Sequence, residues 1–492
     1  MVVDRRAAPL LLIAALTACG SENETPSGNP AGSAGTAGIA GTGGIAGTGG
    51  SAGSAGSAGS AGTAGSAGTA PIDKSALLPL RYDPAAPPAD ASNRYADDPA
   101  ARKLGQRMFF DPSFSGKLLE GDHDGTGGTL GLQGEPGKVS CASCHVPASG
   151  FVDTRSPHRQ ISLGAEWTSR RTPTLLEIAF APLYNWDGRR DSIWGQAIGV
   201  MESSKEFNSG RLFVATQVFK NYRADYEAVF GAMPPLDDAA HFPQLTPEQA
   251  GCVEVRTMQG STYTCRGKPG DGADYDGMAA ADQEAVTRVT VNAAKAIAAY
   301  VRQLRCGESR FDRWLDGDAT ALSESEQRGA GLFAGKGKCM SCHSGPYLTD
   351  QKFHNVGLAP AVVAVAFVDT NDRGAADGIA AALDDPLNSR GAFSDGDRQA
   401  LPAAVGPELL GAFRTPGLRC LSTRPSFMHT GQIKTIELAV SFHNRGGDAP
   451  GSYPGQNELV RLDLSDAERA DLAAFLRALD GPGPAAELLS AP

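Results

Sequence analysis

Several features are scarce in this 492-residue chain, and each scarcity narrows what it can be. No block of Lys or Arg offsets its formal charge of -11, which argues against nucleic acid and for a soluble acidic surface able to meet neutral or basic partners. The apolar stretch Ala7 to Ala15 falls well short of the ~20 residues that a membrane-spanning helix needs. From Ala31 to Ala70 almost no side chain is large enough to build a core, because the sequence is an AGS/AGT/AGI repeat. Alternating apolar and polar residues, the mark of half-buried strands, are rare outside one short insert, which excludes an all-β fold.

The start of the chain reads as an export signal. Arg5 and Arg6 precede the apolar run, and Leu16-Thr17-Ala18-Cys19 has the pattern of a bacterial lipobox, in which cleavage before the cysteine leaves it lipidated. Residues 1–18 are therefore expected to be a lipoprotein signal peptide and 19–71 a flexible tether. Some 50 Gly-rich residues have a root-mean-square reach of roughly 40 Å. The expected location is the periplasm or cell envelope, held to the membrane by the lipid alone, the outer membrane being favoured.

Of nine cysteines, four lie in two copies of one pattern, Cys141-Ala-Ser-Cys144-His145 and Cys339-Met-Ser-Cys342-His343. Two thiols one helical turn apart reach the two vinyl groups of a haem, and the adjacent histidine turns its imidazole onto the iron. A redox or zinc CxxC needs no trailing histidine, so the expectation is two covalently bound haem c groups. With Cys19 assigned to the lipobox, Cys252, Cys265, Cys306 and Cys420 remain. An exported chain favours two disulfides, and four cysteines allow three pairings. The stretch between Cys252 and Cys265 reads as a hairpin around Gly260 with ends close enough to bridge, which leaves Cys306 for Cys420.

Helical signals dominate the remainder. Ser323-x-x-Glu326 and Ser465-x-x-Glu468 are capping boxes. Leu472, Phe475, Leu476 and Leu479 form a buried stripe, and Val286, Val289, Ala293, Ile297, Tyr300 and Leu304 mark a long helix from about Asp282. The expected fold is all-α: two cytochrome-c-like domains, 72–318 and 319–492, each with one haem, and a hairpin-like insert around 245–275 in the first. Two Gly- and Asp-rich stretches, around His123 and around Asp369, lack the terminal Glu of a cation-binding loop and read as solvated loops.

Taken together, LGQRMFFDPSFSG, SCASCH with GFVD, SLG followed by RRTPTLLE, NWDGRRDSIWGQA, GKCMSCHSGP, FRTPGLR, FMHTG and AVSFHNRGG resemble, in that order, the bacterial di-haem cytochrome c peroxidase family, including its MauG-type enzymes. The resemblance covers Leu104 to the final helix. It implies that the N-terminal haem is the peroxide site and the C-terminal haem relays electrons. It implies that Glu206 is the catalytic glutamate, with Glu202 a nearby rival, that Gln196 belongs to the distal pocket, and that Trp186 lies between the haems. His145 and His343 are the implied axial ligands, and His443 occupies the position of a sixth ligand to the second iron, with Met428 and His429 as competitors.

Three positions depart from the family pattern. Ala165 stands where activation-dependent peroxidases carry a distal histidine, so the first iron is expected to be open; His158 is the one nearby substitute and reads as an exposed loop residue. Val200 replaces a distal-pocket proline. Arg171 replaces an asparagine ligand of the family's interdomain calcium, which makes calcium doubtful because a guanidinium repels a cation. The expected partners are hydrogen peroxide and a small cytochrome or cupredoxin donor or, for a MauG-type oxidase, a protein substrate. A plain di-haem electron-transfer cytochrome is the reading from a different class.

Overall fold

The computed structural model describes residues 73–155, 161–257, 260–360 and 369–492. The signal peptide, lipobox and tether, and also His158, lie outside the described residues. In chain order the helices are α1 (Pro99–Phe110), α2 (Cys141–Cys144), α3 (Ile193–Glu202), α4 (Arg211–Phe230), α5 (Ala280–Val301), α6 (Arg310–Leu315), α7 (Glu324–Ala334), α8 (Ala375–Asp384), α9 (Ile436–Arg445) and α10 (Asp466–Arg477). The strands form two antiparallel pairs, β1 (Gly251–Thr257) with β2 (Gly260–Arg266), and β3 (Phe353–His354) with β4 (Phe413–Arg414). The molecule is thus mostly helical, and its longer strand pair is the expected insert. None of the described helices is long and apolar enough to cross a membrane.

Local signals act where the sequence places them. In α7 the amide of Ser323 donates to the Glu326 carboxylate at 2.8 Å while the Glu326 amide donates to Ser323 Oγ, and Ser465 and Glu468 repeat this exchange at the start of α10. Each box satisfies two N–H groups that the first helical turn leaves without partners.

Among the described residues, the two largest hydrophobic cores follow the order of the chain. The first draws mainly on residues between Leu104 and Cys306, including Val286, Val289, Ile297 and Tyr300 along one side of α5. The second gathers Phe311, Phe333, Leu472, Phe475 and Leu479, and takes in Leu77 and Leu80 from ahead of α1. Each core contains one close helix crossing made by a glycine. A Cβ on Gly105 of α1 would lie 1.8 Å from the Ala296 carbonyl oxygen of α5, and one on Gly329 of α7 would lie 2.1 Å from the Asp471 carbonyl oxygen of α10. Only a residue without a side chain permits either contact.

Both disulfides join the pairs favoured by the sequence. Cys252 and Cys265 are directly opposite in the β1–β2 ladder. Cys306, just past α5, bonds to Cys420 across a sequence separation of 114. The four cysteines of the two CxxCH motifs take part in neither disulfide.

The loop around His123 differs from expectation. His123 is buried, and its Nε2–H donates to the Gly164 carbonyl at 2.9 Å. The acidic and glycine residues around it suggested solvation, yet the ring packs beneath the SLG turn. Burial holds its pKa below the ordinary histidine value. Asp369, by contrast, is exposed.

Candidate active site

The first CxxCH motif forms the single turn of α2, which brings Cys141 and Cys144 to one side, and His145 follows at its end. His145 Nδ1–H donates to the Phe151 carbonyl at 3.0 Å, which fixes the tautomer and leaves Nε2 as the nitrogen with a lone pair. Burial keeps this imidazole neutral, its pKa pushed down to about 4, and raises both thiols to about 12. These three groups line a cavity of about 400 Å³, within the ordinary size range of ligand pockets. A neutral imidazole is the form that binds a metal, so the donor set fits a covalently attached haem.

On the walls of the same cavity stand Glu206, Gln196, Trp186 and Val200. The Glu206 carboxyl has its pKa raised, chiefly by burial, although Arg189 and a hydrogen bond from Ser203 oppose the shift. Its backbone is clamped by the SLG turn: the Ala165 amide donates to the Glu206 carbonyl at 2.8 Å and the Glu166 amide to the Lys205 carbonyl at 2.9 Å. A Cβ on Gly164 would come within 2.8 Å of Glu206 Cα. Ala165 is fully buried in this clamp, and its methyl group carries no atom able to ligate a metal. Glu202 is engaged elsewhere, in a two-point ion pair with Arg211 at 2.6 and 3.0 Å.

Gln196 Oε1 accepts from Asn185 Nδ2, which leaves its amide N–H groups to act on the cavity side. Trp186 is buried; its indole N–H donates to the Arg171 carbonyl at 2.7 Å, and its own carbonyl accepts from the Arg414 amide at 2.7 Å. Arg171 is itself buried, and one of its nitrogens donates to the Ser426 carbonyl.

The second motif repeats the logic of the first. His343 Nδ1–H donates to the Leu348 carbonyl at 3.0 Å, and burial lowers the imidazole pKa to about 4. On α9, His443 donates its Nδ1–H to the Ala439 carbonyl at 2.8 Å. Its Nε2 is therefore also the lone-pair nitrogen, and the ring lies close enough to His343 to act on it electrostatically. The rival ligands have other neighbours. Met428 packs with Leu358, Ile433 and Phe442, and His429 stacks on Phe413 with ring centroids 3.6 Å apart.

A family model described as di-haem cytochrome c peroxidase matches residues 99–250. The MauG methylamine utilization protein of Methylorubrum extorquens is 28% identical over 83% of this chain and 85% of its own length. The cytochrome-c peroxidase IdrP1 of Denitromonas iodatirespirans is 28% identical over 81% of this chain and 87% of its own. Over most of its length the chain is similar to di-haem cytochrome c peroxidases and MauG. It is a peroxidase-type oxidoreductase, and the family implies haem c as its cofactor. The fold agrees: the diheme peroxidase BthA from Burkholderia thailandensis superposes with a TM-score of 0.54 at 21% identity, covering 81% of this chain and 90% of the other.

Two features of the structure were not read from the sequence. Asn208, buried with a left-handed backbone (φ 50°), ties the Glu206 loop to the insert: its Oδ1 accepts from the Cys252 amide at 2.7 Å and its Nδ2 donates to the Lys117 carbonyl at 3.0 Å. A left-handed Asn followed by Ser-Gly is a recognisable local signal, but its partners are remote in sequence. The burial of Arg414 and Arg424 has no sequence signal beyond the motif FRTPGLR.

Proposed function

We propose that this chain is an exported, lipid-anchored peroxidase that carries two covalently bound haem c groups. It reduces hydrogen peroxide with electrons from a small cytochrome or cupredoxin, the haem of the first motif being the peroxide site and that of the second the electron relay. The two groups correspond to two cytochrome-c-like domains, in keeping with the separate cores. The observation that carries the reading is Glu206 and neutral His145 on the walls of one cavity, with the SLG turn holding an alanine.

When bound, the haem iron supplies the redox chemistry of O–O cleavage. The carboxylate of Glu206 takes the proton from the inner peroxide oxygen and returns it to the outer one, so that the leaving group departs as water. Gln196, oriented by Asn185, offers N–H donors to the peroxide oxygens. The SLG turn holds the Glu206 backbone in place while its carboxyl works.

A MauG-type oxidase, in which the oxidising equivalents leave to a protein substrate, is the second reading. It is favoured by His443, buried on α9 within electrostatic reach of His343, because two imidazoles give a lower-potential haem than an imidazole and a thioether. A low-potential second haem accepts electrons poorly from a high-potential donor. In His443→Ala, both haems should remain attached and one low-spin signal should become high-spin by electron paramagnetic resonance, while His443→Met should raise the potential of that haem. An unaltered low-spin signal in the alanine variant would move the ligand to Met428 or another side chain. A plain electron-transfer cytochrome has two six-coordinate irons, so carbon monoxide binding by the reduced protein separates it from both enzymes.

A further inference from the structure

Around Trp186 the chain buries positive charge that its own carboxylates do not match. Arg171, Arg414 and Arg424 are each at least nine-tenths buried. Among the described residues none of the three has a carboxylate within ion-pair distance; their guanidinium groups donate instead to oxygens of the Ser426, Asn185, Gly417 and Arg419 backbones and of the Gln351 side chain. Arg171 Nη2 and Arg424 Nε are buried without a hydrogen-bond partner among the described residues. The groups also repel one another: Arg171 and Arg414 both push down the pKa of Arg424, and Arg171 pushes down that of Lys434. Asp153 acts on Arg171 and Asp480 on Arg424, but Asp153 is already paired with Arg155.

A buried cation left unpaired costs several kcal/mol, and a chain that gathers three must receive anions from elsewhere. The position indicates their source. Arg171 lines the cavity of the first CxxCH motif. Arg414 and Arg424 flank a segment packed on the loop that follows His343, where Thr349 Oγ1 donates to the Thr415 carbonyl at 2.7 Å and Arg414 reaches Gln351. Trp186 is suspended between Arg171 and Arg414 by two 2.7 Å hydrogen bonds, one from its indole N–H to the Arg171 carbonyl and one to its own carbonyl from the Arg414 amide.

We propose that Arg171, Arg414 and Arg424 form a carboxylate-binding junction between the two motifs, and that its ligands are the propionate groups of the bound haems. Each haem brings two carboxylates, and guanidinium is the side chain best shaped to bind them in pairs. The junction thereby joins the two halves through the cofactors and neutralises the field around Trp186. This inference rests on the proposed haem binding.

The test uses the holoprotein, with haem counted by pyridine haemochromogen assay and midpoint potentials read by spectroelectrochemical titration. Arg171→Gln, Arg414→Gln and Arg424→Gln, made singly, should keep both haems and shift at least one midpoint to lower potential, because loss of nearby positive charge favours the ferric state. The matching lysine variants should recover most of the shift. If the wild type holds no covalent haem, the proposed function itself falls. If the loaded glutamine variants keep wild-type potentials, the junction is refuted while the function stands.

Where a variant fails to accumulate, wild-type protein grown on carboxyl-labelled aminolaevulinate isolates the propionate bands in the infrared. Those bands should stay ionised below the ordinary carboxylate range and ignore added chloride or phosphate. Propionates that titrate like free carboxylates, or potentials that follow the added anion, would show a junction filled by free anions and overturn the proposal.

Discussion

Glu206→Gln is expected to retain both haems and to slow peroxide cleavage by roughly 10²-fold or more, the contribution of one positioned acid–base group. Glutamine matches the carboxyl in size, so the cavity wall and the backbone clamp from Ala165 and Glu166 persist, and only the proton shuttle is lost. The pH dependence gives a second signature. Burial raises the Glu206 pKa, and the deprotonated form is the one that accepts the peroxide proton. The wild-type rate should therefore fall as pH drops through a value above the usual carboxylate range, and that limb should be missing in the glutamine variant. An unchanged rate would transfer the role to another group. Glu202 is a poor replacement because Arg211 already holds both of its oxygens. Haem loss would instead mark Glu206 as structural.

Removing the Cys306–Cys420 disulfide should have the largest effect on stability. The bond closes a loop of 114 residues, and a loop of about 100 residues corresponds to ~4.7 kcal/mol of lost denatured-state entropy in the chain-entropy model. It also fixes the region around the final segment, since the Gly483 amide donates to the Cys306 carbonyl at 2.8 Å. Denaturant titration of Cys306→Ser/Cys420→Ser should show a large fall in midpoint with both haems still attached. The bond between Cys252 and Cys265 closes a separation of only 13, across strands that are already paired. Its removal should loosen the insert and cost the whole protein less. Equal midpoints for the wild type and the Cys306/Cys420 variant would contradict the assigned ranking.

What could be read from the sequence was local or carried by spacing. The two CxxCH motifs, the capping boxes at Ser323 and Ser465, the stripe on the last helix and the hairpin between Cys252 and Cys265 each depend on residues within a few turns of one another. Pairing of Cys306 with Cys420 followed because few cysteines remained. His123 was misjudged because its burial comes from Gly164, remote in sequence, while its immediate neighbours are acidic and small. The clamp on Glu206 was hidden for the same reason: the SLG turn could be recognised as a family marker, but not its hydrogen bonds to Lys205 and Glu206. Arg414 and Arg424 lay inside or beside a quoted motif, yet nothing in composition or periodicity distinguishes a buried arginine from a surface one. Charge without a visible partner emerges only from the packed chain.

The central proposal, an open first haem served by Glu206, is tested most directly by stopped-flow mixing of the diferric protein with hydrogen peroxide, without prior reduction and with both haem spectra followed. Ala165 is buried in the clamp and offers no ligand, so prompt reaction of the fully oxidised protein is the expected result. A strict requirement for a half-reduced state would mean that another side chain blocks the first iron, and would contradict the role assigned to this site.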